Sequence, residues 1–376
     1  MNFDLSDEQR LLRDSVDRFG REHYAFPAWR ARADRGEGFD RGLWARMAEL
    51  GWLTLTVPEG AGGYGGTPVD TMVVMEGFGR SLMLEPYVGC GVVAPALLPH
   101  LAGGDRGAPM AEVMAGEAVL SLADAEPRSR YDLAYVETRA ERRGDGFVLT
   151  GEKSHALDGA EADWFVVPAR TAGSPGDPQG VSLFLVPRSA PGLTVRGQRA
   201  MDHRRNAALE LDGVALDAGA LIGPIDGGYP LLRHAVDLAI VARLAEALGA
   251  MEAAYEQTLA YLKTRRQFGQ VIGGFQALQH RAVDMAIACE EARSMTYLAT
   301  LSLDAEPAER SRAIAAAKAR VGQTSLFVAR QAVQLHGGIG FSDELAIGHY
   351  LKRITMIDMA FGNAAHHRAL YAAQAA

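Results

Sequence analysis

Residues 229–265, YPLLRHAVDLAIVARLAEALGAMEAAYEQTLAYLKTR, repeat their apolar side chains with the spacing of a long α-helix. The same spacing continues over about 275–302, 307–336 and 345–357, and again over 363–374. Helices of this length bury their apolar faces mainly against one another. The part of the chain that follows Gly227-Gly228 is therefore predicted to form a four-helix bundle.

The preceding part of the chain changes its pattern once. Ser6 and Gln9 have the spacing of a capping box, which predicts a helix through about Glu22, and helical patterns also cover 43–50 and 69–80. From about residue 117, short apolar runs separated by turn residues predict an antiparallel β-domain. The predicted strands are 119–122, 133–138, 147–150, 164–167, 181–186, 193–195 and 208–211.

These patterns predict an α+β multidomain protein. We expect an N-terminal helical domain over residues 1–115, a middle antiparallel β-domain over 116–226 and a C-terminal helical bundle over 227–376. Strands and helices do not alternate, and no G-x-G-x-x-G follows a strand, so a doubly wound Rossmann sheet is excluded.

Composition argues against several functional classes of protein. The 376 residues carry 38 Lys plus Arg against 46 Asp plus Glu, and this net charge of −8 argues against nucleic-acid binding. Two cysteines exclude a disulfide scaffold, and His366-His367 lacks the spacing of a metal site. Because no apolar run approaches a membrane span and the N-terminus is polar and acidic, we expect no membrane insertion and a cytoplasmic location.

Two short motifs follow predicted helices and could serve a phosphate-bearing ligand. In His336-Gly337-Gly338-Ile339-Gly340, the glycines would let a ligand approach the backbone amides, although a helix C-cap has the same composition. In Arg265-Arg266-Gln267-Phe268-Gly269, an arginine could neutralise phosphate and Phe268 could lie against a planar ring. The alternative is a basic helix end that complements the dipole.

The motifs taken together are more specific. The helical, β, helical order with Arg265-x-x-Phe268-Gly269, Phe275-Gln276 and Gln334-x-x-Gly337-Gly338-x-Gly340 resembles the acyl-CoA dehydrogenase family of flavoproteins over nearly the whole chain. Glu126-Pro127 and the segment 146–153 support the resemblance. It implies a dimer of dimers that binds FAD. It further implies that six residues contact a neighbour's FAD at its adenosine and pyrophosphate half: Arg265, Phe268, Gln276, Gln334, Gly337 and Gly338.

The resemblance also implies a reaction. Family members convert an acyl-CoA thioester to the 2-enoyl-CoA, with a carboxylate that takes the α-proton and FAD that accepts the β-hydrogen. The implied electron acceptor is an electron-transfer flavoprotein.

The sequence departs from the family at the carboxylate. Phe361 stands where the family base precedes Gly, and Ala239 stands at the alternative base position on the first long C-terminal helix. Glu246 lies two turns beyond Ala239 in an apolar stretch and is the predicted catalytic candidate, with a structural ion pair as its alternative interpretation. Asp358 is a weaker candidate, at an exposed or paired helix end.

The positions expected to face the isoalloxazine ring differ as well. Arg130-Tyr131-Asp132 replaces Gly-Ser-Asp, and His155-Ala156-Leu157 replaces Trp-Ile-Thr. The departures from the family pattern therefore cluster at the isoalloxazine end of the cofactor.

Three interpretations stay open. The chain is a base-poor subunit that completes a partner's FAD site in a heterotetramer, as in the pimeloyl-CoA type. Alternatively, it is a self-sufficient homotetrameric dehydrogenase that uses Glu246, or a homologue that binds acyl-CoA without oxidising it.

Overall fold

The fold is known from a computed structural model that describes residues 4–36, 38–103 and 107–374. These residues form two compact units, each made from separate parts of the chain. Residues 4–35, 67–83 and 240–374 form the helical unit, and the described residues of 36–66 and 84–239 form the sheet unit. The division into domains at 115/116 and 226/227 differs from these two units and stays a prediction.

The four long C-terminal helices are confirmed, as is the capping box of Ser6 and Gln9 at the start of the first helix. The segment Phe26–Arg35 was not predicted as a helix, because its arginines interrupt the apolar pattern and only Trp29 and Ala33 are buried. The π-helical turn Val88–Val93 was also missed. The helices are α1 (Asp7–His23), α2 (Phe26–Arg35), α3 (Arg41–Glu49), α4 (Pro68–Ser81), α5 (Ala94–Leu97), α6 (Gly107–Met114), α7 (Tyr229–Thr264), α8 (Gln276–Leu301), α9 (Pro307–His336), α10 (Ala346–Met359) and α11 (Ala364–Ala373).

Within the helical unit, α4 and α7 cross at very short range. A Cβ atom added at Gly79 would collide with the carbonyl oxygen of Glu246, and one added at Gly249 would collide with that of Glu76. Glycine is required at both positions because backbone meets backbone there. The crossing fixes the part of α7 that carries Glu246.

The sheet unit contains one sheet of eight described strands in the order β6-β7-β3-β2-β4-β5-β8, with β1 parallel to β4. Most pairs are antiparallel, and β2 meets β4 in parallel at one position. The strands are β1 (Leu120–Leu122), β2 (Arg139–Arg143), β3 (Gly146–Ala156), β4 (Trp164–Arg170), β5 (Val181–Pro187), β6 (Leu193–Arg199), β7 (Arg205–Leu216) and β8 (Leu221–Ile222). The predicted α+β class is confirmed.

The predicted strand 133–138 is wrong, because side chains take its backbone hydrogen bonds. The carboxylate of Glu126 accepts the amide of Glu137 at 2.6 Å, and the guanidinium of Arg170 donates to the carbonyl oxygen of Ala134 at 2.9 Å. These backbone groups therefore have hydrogen-bond partners without pairing to a neighbouring strand. The segment forms a loop, and β2 begins after it.

Candidate functional site

The two motifs predicted to contact a cofactor lie at the same end of the helical unit. Tyr261, in the last turn of α7, stacks on His336 at the end of α9, with ring centroids 4.4 Å apart and planes inclined by 25°. The carbonyl oxygen of Tyr261 accepts the amide of Arg265 at 2.9 Å, and Gly337 follows His336 directly. The ring contact therefore joins two segments that are distant in sequence.

Phe268 stands at the tip of a short hairpin formed by β9 (Arg266–Gln267) and β10 (Gln270–Val271). Its φ is +53° and its residue surface is 89% exposed. A left-handed backbone is unfavourable for a bulky residue, and an exposed phenyl ring has unsatisfied apolar surface. This combination is typical of a residue that contacts a ligand or another chain.

The other five predicted cofactor residues are exposed too, so the six residues form what we call the motif surface: Arg265, Phe268, Gln276, Gln334, Gly337 and Gly338. A Cβ atom added at Gly337 or Gly338 would meet nothing within 4 Å, so the backbone there is open to an approaching ligand. The motif surface thus offers a cation, amides, open backbone and an aromatic ring. This donor set fits the pyrophosphate and adenosine of FAD.

The turn after α10 holds the position that the family resemblance assigns to the base. Phe361 adopts φ +55°, and its carbonyl oxygen lies 2.9 Å from Nε2 of His367. Asp358 Oδ1 accepts the amide of Ala364 at 3.0 Å, and Lys318 Nζ donates to the carbonyl oxygen of Asp358 at 2.8 Å. Burial lowers the pKa of the Lys318 ammonium to about 8. The turn is firmly held, and a phenyl ring stands where the resemblance places the base.

Ala239, which the resemblance places at the alternative base position, is fully buried in α7 and has only a methyl group. The predicted catalytic candidate, Glu246, is also fully buried. Its Oε1 lies 2.7 Å from Nη1 of Arg353, and its Oε2 pairs with Arg243. Arg353 also donates to the carbonyl oxygen of Met83 at 2.9 Å. These contacts agree with the structural interpretation of Glu246, and its catalytic role stays a prediction.

In the sheet unit, the predicted flavin-facing residue His155 pairs its backbone with Ala125. Close by in sequence, Lys153 Nζ lies 2.6 Å from Oε1 of Glu126, and both side chains are buried. Burial alone would raise the pKa of Glu126, but the ammonium of Lys153 holds it below its usual value. Burial lowers the pKa of Lys153. The pair anchors the segment that carries Ala125.

Arg170, at the end of β4, donates hydrogen bonds to five backbone carbonyl oxygens. The acceptors, at 2.9 to 3.3 Å, are Ala134, Val136, Ala172, Asp177 and Gln179. Its guanidinium holds the loop that follows Tyr131, which is itself 38% exposed. Burial lowers the pKa of Arg170.

Sequence reasoning missed the residues that support these positions. Tyr261, Arg353, Lys318 and Arg170 act through partners far along the chain, so spacing did not indicate them. Asp124 was missed as well: burial raises the pKa of its carboxyl to about 6, against the opposing effect of Lys153. For the charged residues among them, the signal in the sequence that could have indicated a supporting role was a charge within an otherwise apolar run.

Models of one family match three parts of the chain. The C-terminal domain of acyl-CoA dehydrogenases matches residues 226–376, the N-terminal domain 6–100 and the middle domain 121–214. The chain belongs to the acyl-CoA dehydrogenase family. This membership places it in a class of FAD-dependent oxidoreductases.

Relatives in this family resemble the chain over its whole length. A probable acyl-CoA dehydrogenase, YngJ of Bacillus subtilis, is 28% identical and covers 100% of this chain and 99% of its own. Benzylmalonyl-CoA dehydrogenase of Aromatoleum aromaticum is 30% identical, with 95% of each chain covered. The solved ChsE4–ChsE5 complex of Mycobacterium tuberculosis contains a chain that is 26% identical, with a TM-score of 0.87 and coverage of 100% and 99%.

Among the residues that the structure describes, no three His, Cys, Asp or Glu side chains converge as a metal site would require. Across residues 4–36, 38–103 and 107–374, no helix has the length and apolar character that a membrane span needs.

Proposed function

We propose that this acyl-CoA dehydrogenase homologue is the base-poor subunit of a heteromeric enzyme that converts an acyl-CoA thioester to the 2-enoyl-CoA. The observation that carries the proposal is the turn after α10, which keeps a well-held backbone but presents Phe361 in place of a carboxylate. The motif surface is intact and exposed. The chain thus lends contacts to a cofactor while a partner supplies the base.

The chain's own residues bind and orient the cofactor in this account. When bound, FAD supplies the acceptor for the β-hydrogen and its electron pair. Arg265 would neutralise the pyrophosphate, and Phe268 would offer its ring to the adenine. Gln276 and Gln334 would offer hydrogen bonds to the same half, and Gly337 and Gly338 would offer backbone amides.

The partner subunit supplies the carboxylate that takes the α-proton of the thioester. A general base needs a free oxygen within hydrogen-bond reach of that proton. Glu246 has Arg353 on one oxygen and Arg243 on the other, so its contacts favour a role in holding α7 and α10. A self-sufficient enzyme that uses Glu246 as its base is the second candidate. A homologue that only binds acyl-CoA is the third.

Similarity to known proteins supports the finer parts of the proposal. The similar ChsE4–ChsE5 structure is a complex, and this similarity supports a heteromeric assembly for this chain. Benzylmalonyl-CoA dehydrogenase acts on a CoA thioester, as we propose for this chain. We infer a tetramer built as a dimer of dimers, with an electron-transfer flavoprotein as acceptor, from the family resemblance. The cytoplasmic location likewise stays a prediction.

The proposal is tested by co-expressing the chain with homologues from the same genome that carry a glutamate at the position of Phe361. We expect one of them to form a stable hetero-oligomer that contains less than one FAD per chain and whose flavin is bleached by acyl-CoA. The matched control is the chain expressed alone under the same conditions. A homotetramer with one FAD per protomer and full turnover would overturn the proposal.

A further inference from the structure

We propose that the ring contact between Tyr261 and His336 is the positioning contact that holds the two halves of the motif surface in register. The contact joins residues that are 75 positions apart. One half, with Arg265 and Phe268, follows α7, and the other, with Gly337 and Gly338, follows α9. The ligand of this surface, FAD, rests on the proposed function, whereas the positioning does not.

Both halves have little regular structure of their own. The strands β9 and β10 contain two residues each, and a 3₁₀ turn over Gly337–Phe341 ends the other half. Short segments of this kind fray unless a packed contact fixes them. An external anchor is therefore needed if the surface is to be preformed.

Tyr261 supplies that anchor in three ways. Its ring stacks on the imidazole, its hydroxyl donates to the carbonyl oxygen of His336 at 3.4 Å, and its own carbonyl oxygen accepts the amide of Arg265. The His336 residue is 6% exposed, and its Nδ1 lies 2.8 Å from the carbonyl oxygen of Ala332. Both rings are thus fixed by the helices that carry them.

Other contacts at this end have different partners. Arg281 Nη1 donates to Gln331 Oε1 at 3.1 Å and joins α8 to α9. Gln279 Nε2 donates to the carbonyl oxygen of Gly273 at 2.9 Å and ties the segment before α8 to that helix. Neither contact joins α7 to α9, whereas the ring pair does.

The first test measures amide hydrogen exchange in the purified full-length chain. Tyr261→Leu removes the ring, and exchange should rise about threefold to tenfold over both 266–271 and 337–341, the range expected for an aromatic pair. Tyr261→Phe keeps the ring and loses only the hydrogen bond to His336, so its rise in exchange should be clearly smaller than that of Tyr261→Leu. The matched control, Tyr255→Leu, removes a half-exposed tyrosine from the same helix. A rise confined to 266–271, or one equal to that of the control, would overturn the proposal.

The second test measures FAD retention in the assembly that binds it. Tyr261→Leu should release FAD about threefold to tenfold more readily, and Tyr261→Phe, which keeps the ring, should retain FAD better than Tyr261→Leu. If exchange responds in both segments while FAD retention does not, the positioning role stands and the proposed lending of this surface to FAD fails.

Discussion

Glu246 is held by two arginines in a buried network, and this arrangement has a measurable consequence for stability. Glu246→Gln removes the negative partner of Arg243 and Arg353, so we expect the free energy of unfolding to fall by about 3 kcal/mol. Urea denaturation measures this loss. Glu256→Gln, which breaks a more exposed pair with Arg80, should lose less than about 1 kcal/mol.

The same variant separates the two roles of Glu246. If the network is structural, the folded fraction of Glu246→Gln in the active assembly should reduce its flavin with acyl-CoA at the wild-type rate. A fully stable variant whose flavin reduction is abolished would make Glu246 the base.

Arg265 offers a second test at a single side chain. A charge-assisted hydrogen bond to phosphate is lost in Arg265→Gln, so FAD should bind about tenfold more weakly or worse in the assembly. The neighbouring exposed residue provides the matched control, because Arg266→Gln removes the same charge from the adjacent position. Equal losses in fluorescence-monitored FAD titrations of the two variants would show general charge attraction instead of a specific contact.

Lys153 and Glu126 connect β3 to the segment that carries Ala125. Lys153→Met should lower the free energy of unfolding by about 3 to 5 kcal/mol, because the carboxylate of Glu126 loses its buried ammonium partner. Adding Glu126→Gln should recover part of that loss, since the amide keeps an acceptor for the backbone. Denaturant melts of the two single variants and the double variant form a double-mutant cycle, and simple additivity would contradict the coupling.

The junction of α1, α4, α7 and α8 contains an acid with a raised pKa. Burial raises the pKa of Glu76 to about 7; Arg13, Arg80 and Arg293 oppose this effect, and Glu252 adds to it. A carboxyl whose pKa is higher in the folded state stabilises that state below pH 4.5, and this contribution is lost as the pH rises to about 7.

We therefore expect stability to fall by up to about 3 kcal/mol over that range through Glu76 alone. Glu76→Gln should be more stable than the wild type at pH 8 and should show a flatter pH profile in thermal melts. The control Glu290→Gln alters a more exposed acid near Arg293. A wild-type profile retained by Glu76→Gln would refute this assignment.

The sequence predicted the elements whose side chains act locally. The apolar periodicity of α7, α8 and α9 is strong enough to predict long helices. The capping box of Ser6 and Gln9, two residues that are three positions apart, marks the start of α1. The prediction of a strand over 133–138 was wrong because Glu126 and Arg170 bind the backbone of this segment. Apolar spacing contains no information about such partners.

The candidate site was predictable to a similar extent. The motif residues were inferred from the resemblance to the acyl-CoA dehydrogenase family, and the structure brings their two segments to one end of the bundle. The anchors Tyr261 and Arg353 were not predictable, because each bonds a residue many turns away. Spacing placed Glu246 on an apolar face of α7, but only the structure reveals its two arginines.

For the whole molecule, we propose that the residues that bind a cofactor are kept and that the residues that perform the chemistry are replaced. The motif surface is exposed in the single chain, and Phe361, in a well-held turn, stands at the position that the family resemblance assigns to the base. On this proposal the chain completes another subunit's site, and the partner supplies the carboxylate that catalysis requires.

The most direct measurement is an anaerobic titration of the purified chain, without a partner, by a panel of acyl-CoA thioesters. FAD per protomer is counted first from the visible spectrum. We predict substoichiometric flavin, or flavin that no thioester bleaches, together with bleaching once a base-bearing partner is added. One FAD per protomer that is bleached by a thioester with the chain alone would contradict it.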